Sequence, residues 1–216
     1  MQIFQQIAGA LVDGDVELTL DLVNKCIEEG IDVNQIIDEG LAAGIKQVGD
    51  YFEDGEFFLP ELMQGAEIMK SAMEVLNPII LEKTGGLYKS KGKVVIGTVS
   101  GDIHDIGKTL VGSMLTASGF EVYDMGADVP NERFLEEIKD KKADLLCMSA
   151  LLTTTMINQR EVINRISDQG YRNKVKILVG GAPVSEEWAE EIGADGFAEN
   201  AVEAVKIAKA LIGVDD

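Results

Sequence analysis

The only histidine of this 216-residue chain, His104, stands in the segment Asp102-Ile103-His104-Asp105-Ile106-Gly107. An imidazole with a carboxylate two residues before it and another one after it can serve as an oriented ligand or base. A carboxylate bonded to one ring nitrogen fixes the tautomer and leaves the lone pair of the other available. Taken alone, such a histidine also reads as a surface loop residue. A second polar cluster, Ser149-Ala150-Leu151-Leu152-Thr153-Thr154-Thr155, brings several hydroxyls, and Gly180-Gly181 forms a pair where a ligand can pass close to the backbone. Turn chemistry accounts for those two glycines as well.

The elements that must position these residues fall into two halves. Up to about Glu82 the pattern is helical. Ile3, Ile7 and Leu11 mark a first helix. Asp15 caps a second, with Val16, Leu20, Val23 and Ile27 inward and Gly30 at its end. Asp32 and Gln35 read as a capping box for a third, whose stripe is Ile37, Leu41, Ile45, Val48 and Phe52. Pro60 suits the first turn of a fourth, with the seam Leu62, Ala66, Met69, Met73, Leu76 and Ile80. Short turns between them predict an antiparallel four-helix bundle. The stretch from Thr84 to Gly92 reads as a linker, with Gly85-Gly86 as its hinge.

Beyond the linker, short β-branched runs alternate with helical stretches: Val94 to Val99, Glu121 to Met125, Leu145 to Met148, Lys176 to Val179 and Gly196 to Ala198. This alternation predicts βαβ units and a five-stranded parallel sheet of the Rossmann-like, flavodoxin-like kind. The fold class is therefore α plus α/β, with domains over residues 1–87 and 88–216. In a sheet ordered 2-1-3-4-5 the strand order reverses between strands one and three, and ligands bind beyond the carboxyl ends there. Those two strands lead into His104 and into the Ser149–Thr155 loop, so both polar loops converge on one crevice.

Composition narrows the partners. A formal charge of −19 argues against nucleic acid and against an anionic membrane surface. No apolar run reaches transmembrane length, and Met1-Gln2-Ile3-Phe4 lacks the basic segment of a secretory signal. Cys26 and Cys147 lie in apolar stretches and read as buried reduced thiols of a cytoplasmic protein.

Three other readings fail on spacing or on residue type. A phosphate-cradling loop ending in Gly107-Lys108-Thr109 needs four residues between its glycines, and five separate Gly101 from Gly107. A receiver-like signalling domain needs an aspartate at the end of strand three, where Ser149 stands. A dinucleotide-binding domain needs GxGxxG after the first strand, which is absent. The combination Asp102-x-His104-x-x-Gly107, Ser149-x-Leu151 and Gly180-Gly181, in this order and spacing, resembles the signature of cobalamin-binding domains. The resemblance runs from about Ser90 to Gly213. The first half is similar to the helical cap domain that precedes it in corrinoid methyl-carrier proteins and in cobalamin-dependent methionine synthase.

The resemblance implies a role for each residue. His104 replaces the nucleotide base of cobalamin on the lower face of cobalt, giving a base-off cofactor. Asp102 bonds the other ring nitrogen, and Thr155 extends the chain where relatives usually carry serine. Asp105, Ile106, Gly107, Ser149, Leu151, Thr153, Gly180 and Gly181 line the site, with the displaced nucleotide tail in a slot opened by Gly107, Ser149, Gly180 and Gly181. Protonation of the Asp102–His104 couple favours release of His104 from cobalt and the cob(I)alamin state; deprotonation favours the ligated methylcobalamin state. Phe58 and Leu59, with Leu62, are the candidates for a lid over the upper face. Local spacing alone reads Phe58 and Met63 equally as a hydrophobic staple. The implied function is a methyl carrier, active only with partner subunits: a substrate-specific methyltransferase, a second methyltransferase serving a tetrahydrofolate-type or thiol acceptor, and a reductive activase. A methylamine, a betaine, methanol or a methoxylated aromatic would suit as donor. The alternatives are the cobalamin subunit of an adenosylcobalamin mutase, or a cobalamin sensor or storage protein.

Overall fold

Helix signals of the first half are realised largely where the capping residues stand. The computed structural model describes residues 2–84 and 90–214; the side chains at 53, 77 and 80–84, and with them the seam position Ile80, lie outside the description, as do the Gly85-Gly86 hinge and the boundary between 87 and 88. Four helical segments are seen among the described residues of the first half: α1 (Gln2–Val12), α2 (Val16–Glu28), α3 (residues 33–53) and α4 (Leu59–Thr84). Asp15 accepts the Leu18 N–H at 2.9 Å and Asp32 accepts the Asn34 N–H at 2.9 Å, each satisfying a donor that a helix start leaves unpaired. Helix α1 packs against the other three.

The expected capping box at Asp32 does not form. Gln35 turns toward Glu39, 3.5 Å away, because α3 changes winding immediately after it: residues Ile36–Leu41 form a π-helical turn between Val33–Gln35 and Ala42–Glu53. The wider turn lets the adjacent Ile36 and Ile37 both be fully buried together with Leu41. Half of a capping box appears instead at α4, where the Glu61 carboxylate accepts the Phe58 N–H at 2.9 Å.

Three of the expected stripes are rotated. In α1 Phe4 and Ala10 join Ile7 and Leu11 inside, and Ile3 sits at the margin. In α2 Thr19, Val23 and Cys26 face inward, whereas Val16 is exposed and Leu20 and Ile27 are marginal. In α4 Ile68 and Ala72 accompany Leu62, Met69 and Leu76, leaving Ala66 and Met73 at the edge. Steps of three and four residues are both helical. The neighbouring helices decide which row between them is covered.

The chain divides into two units, one within residues 1–89 and one within 90–216, with the stretch 116–119 grouped with the first. The second contains strands β1 (Lys93–Thr98), β2 (Glu121–Asp124), β3 (Leu145–Ser149), β4 (Lys176–Gly180) and β5 (Gly196–Ala198). They form one parallel sheet ordered β2-β1-β3-β4-β5, so the order reverses between β1 and β3 as expected. The intervening helices are α5 (Ile106–Ala117), α6 (Asn131–Lys141), α7 (Ile157–Asp168), α8 (Glu186–Ile192) and α9 (Ala201–Ile212).

Alternation along the strands sends side chains to opposite faces. Val95, Leu146, Met148, Ile177 and Val179 meet Phe134 and Ile138 of α6, Val162, Ile163 and Ile166 of α7, and Ala189 and Ile192 of α8 in one buried cluster. The other face meets α5, where a side chain at Gly112 would touch Ile96 and Val122, and α9, whose Ile207 lies against Gly196. Strand ends β1, β3 and β4 are in register, Thr98 beside Ser149 and Ser149 beside Gly180. Cys26 and Cys147 are free and buried.

Candidate functional site

Beyond the carboxyl ends of β1 and β3 the two polar loops are joined through one carboxylate. Asp102 is fully buried. Its Oδ1 accepts the His104 backbone N–H at 3.1 Å and the His104 ring Nδ1–H at 2.7 Å. Its Oδ2 accepts the Leu151 N–H at 2.7 Å, the Leu152 N–H at 3.3 Å and the Thr155 hydroxyl at 2.7 Å. Burial pushes the Asp102 carboxyl up, but the bonds donated by Thr155, His104 and Leu151 outweigh it and hold the group well below the usual carboxylate range. An ionised acceptor at Nδ1 places the ring proton there, so Nε2 keeps its lone pair. The His104 side chain is 47% exposed, and Nε2 has no protein partner among the described residues.

The loop that carries His104 is held from several sides. The buried Thr98 hydroxyl donates to the His104 carbonyl at 3.0 Å. Asp128, at φ 53°, accepts the Gly101 N–H at 2.7 Å through Oδ1 and donates its own N–H to the Asp102 carbonyl at 2.9 Å. Asn158 Nδ2 donates to the Ser100 carbonyl at 2.8 Å. The sequence offered little sign of these three anchors. Polar residues at the end of a strand, within a helix start or after an edge strand acquire their role only from what the fold brings opposite them.

The remaining predicted residues divide. Ser149 and Gly180 share the face of the sheet that meets α5 and α9, by the same alternation that turns Met148 and Val179 toward α7. Gly181 has φ 119°, and a Cβ there would fall 1.9 Å from the Ala150 carbonyl oxygen, so a side chain is excluded on both counts. At Gly107, exposed in the first turn of α5, an added Cβ would meet no protein atom within 4 Å. Its missing side chain leaves open space instead of relieving a contact. Ile103 and Ile106, on either side of His104, are 77% and 74% exposed, and Leu151 is also exposed. Asp105 is exposed and starts α5 through its backbone, its carbonyl accepting the Thr109 N–H at 2.8 Å. Thr153 is exposed and takes no part in the Asp102 network among the described residues. Phe58 and Leu59 belong to the other unit; Phe58 is 69% exposed and Leu59 half-buried, whereas Leu62 is fully buried and offers no free lid side chain.

A single oriented imidazole among exposed isoleucines suits a metal whose other ligands come from a macrocycle. Among the described residues no group of three or more His, Cys, Asp and Glu side chains could hold an ion. Residues 92–206 match the B12 binding domain family, and residues 3–77 match a second B12 binding domain family. The chain is 44% identical over 213 residues to a corrinoid protein of Desulfitobacterium hafniense strain Y51, covering 99% of both chains. It is 44% identical over 211 residues to dimethylamine corrinoid protein 1 of Methanosarcina acetivorans, covering 98% of both. The chain belongs to the corrinoid protein family. Among solved structures, this corrinoid protein is similar to a chain of the methanol:cobalamin methyltransferase complex of Methanosarcina barkeri. The TM-score is 0.86 at 33% identity, covering 98% of this chain and 80% of that one. A cobalamin-binding protein of Desulfitobacterium hafniense DCB-2 gives a TM-score of 0.66 at 32% identity, covering 96% of this chain and 98% of that one.

The cofactor of the corrinoid protein is a cobalamin-type corrinoid, and the residues present fit one. His104 presents an unencumbered Nε2, the apolar Ile103 and Ile106 lie bare beside it, and the space beside Gly107 is open, with no protein atom within 4 Å of where a Cβ would stand. Among the described residues no helix is long and apolar enough to cross a membrane.

Proposed function

We propose that this protein carries a methyl group between two methyltransferases, with His104 as the lower axial ligand of its cobalamin. The observation that carries the reading is the buried Asp102 carboxylate holding Nδ1 of a half-exposed imidazole at 2.7 Å, which leaves Nε2 without a protein partner among the described residues and able to ligate a metal. When bound, the corrinoid supplies a cobalt centre able to accept a methyl cation and pass it on. Thr155 and the Leu151 N–H hold Asp102 as a carboxylate, so the ring keeps one orientation whether or not Nε2 is engaged. Ser149, Leu151, Gly180 and Gly181 line the slot for the nucleotide tail, and Asp105, Ile106, Gly107 and Thr153 complete the wall.

Residues 1–87 act as a cap domain and 88–216 as the cofactor domain, with Phe58 and Leu59 as the apolar lid; the 69% exposure of Phe58 supports a surface role for it over a staple. A lid of this kind excludes water and opens for partners. The relatives named for dimethylamine and trimethylamine, and the methanol complex, support a substrate-specific methyltransferase as the first partner. An acceptor methyltransferase and a reductive activase complete the cycle. Buried free Cys26 and Cys147 suit a reducing cytoplasm.

The test is the visible spectrum of the purified protein incubated with hydroxocobalamin, beside His104→Ala. Stoichiometric binding, with a histidine-for-base spectrum that the variant lacks, is the expected result. Absence of bound cobalamin in both proteins would remove the reading.

A further inference from the structure

The face of the sheet opposite Ser149 and Gly180 holds a buried carboxamide that neither the Asp102 network nor the loop anchors use. Gln159, in the first turn of α7, is fully buried. Its Nε2 donates to the Met148 carbonyl at 3.1 Å and to the Gly180 carbonyl at 3.3 Å, and its Oε1 accepts the Trp188 indole N–H at 3.0 Å. One amide thus joins the carboxyl ends of β3 and β4 to α8. Trp188 is itself fixed: the Arg160 guanidinium lies 4.5 Å from its ring centroid, and Arg160 pairs with Glu191.

In the cobalamin reading proposed above, these two strand ends, where Ser149 lies beside Gly180, form the floor of the slot for the nucleotide tail. The Ala150 N–H donates to the Gly180 carbonyl at 3.1 Å, and Gly181 passes so close to Ala150 that no side chain fits. The spacing of β3 and β4 therefore sets where Ser149, Gly180 and Gly181 lie. Among the described residues Gln159 is the one side chain bonded to both ends. An apolar residue there would leave three buried polar groups with one partner fewer, and the strands would adjust.

We propose that Gln159, held by Trp188, is a positioning residue that shapes the slot for the nucleotide tail from behind the sheet, and so favours complete cobalamin over a corrinoid without its tail. The inference rests on the cobalamin reading above and deepens it. Its test compares binding of cobalamin and of cobinamide, which lacks the nucleotide, to the full-length wild type, Gln159→Met and Trp188→Phe, with thermal melting recorded for each. Gln159→Met is expected to weaken cobalamin about tenfold, the scale of one net hydrogen bond, and to leave cobinamide within about twofold; Trp188→Phe, which keeps both strand contacts of Gln159, is expected to show the same selectivity at about threefold. Equal losses for the two ligands, or no loss in a folded variant, would assign Gln159 to fold stability alone and overturn the proposal. Should Gln159→Met not fold, the Trp188→Phe comparison decides in the same way. Wild type that retains no cobalamin sinks the cobalamin reading and this inference together, whereas wild type that binds with unselective variants sinks only the inference.

Discussion

At the scale of single residues, Asp102 couples two loops that are 49 residues apart in sequence at their Asp102–Leu151 bond. It accepts five hydrogen bonds, three from the second loop, and an amide in its place would turn a donor toward donors. Asp102→Asn is therefore expected to destabilise the fold by about 2 kcal/mol, the cost of leaving buried N–H groups unpaired, and to remove the histidine-ligated cobalamin spectrum; urea titration and visible absorbance check the two halves. A variant with unchanged stability would show that the loops are held by other bonds. Cys147 poses an opposite case. Burial alone pushes its thiol up to about 12, so it stays neutral in the folded chain where an exposed thiol would ionise near pH 8.5. A raised folded value contributes stability that is complete below the unfolded value and is lost as pH rises toward the folded one. Native protein should leave Cys147 unlabelled by iodoacetamide at pH 8, and its stability should decline above about pH 8.5, less steeply in Cys147→Ala. Rapid native labelling would contradict the burial.

At the scale of elements, an ion pair pins the first turn of α5. Lys108 is buried to 2% of its side-chain surface and binds both carboxylate oxygens of Asp124 at the end of β2, which remains 39% exposed. Asp124 also accepts the Gly126 N–H at 2.8 Å. The two ends of this pair are not equivalent. Removing the half-exposed acid strands a buried ammonium, whereas removing the lysine leaves an acid that water can reach. Asp124→Ala should cost about 3 kcal/mol and Lys108→Met distinctly less, by denaturant unfolding. Equal costs would mean that the pair contributes only its Coulomb term. The winding of α3 belongs to this scale too. Its stripe Ile37, Leu41, Ile45 and Val48 was legible as a helical row, yet the π turn at Ile36–Leu41 was not, because one extra residue per turn is favoured by packing against α1 and carries no signal of its own in residue type.

At the scale of the whole molecule, a formal charge of −19 acts on encounter more than on fold. A methyltransferase partner of complementary charge is expected to associate about tenfold more slowly when ionic strength rises from about 0.05 M to about 0.5 M, with the dissociation rate little changed; stopped-flow mixing would measure both. A rate indifferent to salt would remove the steering role. Sequence by itself determined the helical first half, the five strands and, through the alternation of periods, their parallel βαβ connection, and the motif Asp102-x-His104-x-x-Gly107, since each depends on local spacing or on residue types that chemistry demands. Only the tertiary structure decided which row of each helix is covered, that Leu62 is buried while Phe58 is bare, that Thr98, Asp128 and Asn158 anchor the His104 loop, and that Gln159 joins two strand ends. Those outcomes depend on what lies opposite a side chain, and a polar residue in a helix reads the same in sequence whether it meets water or a strand's carbonyl.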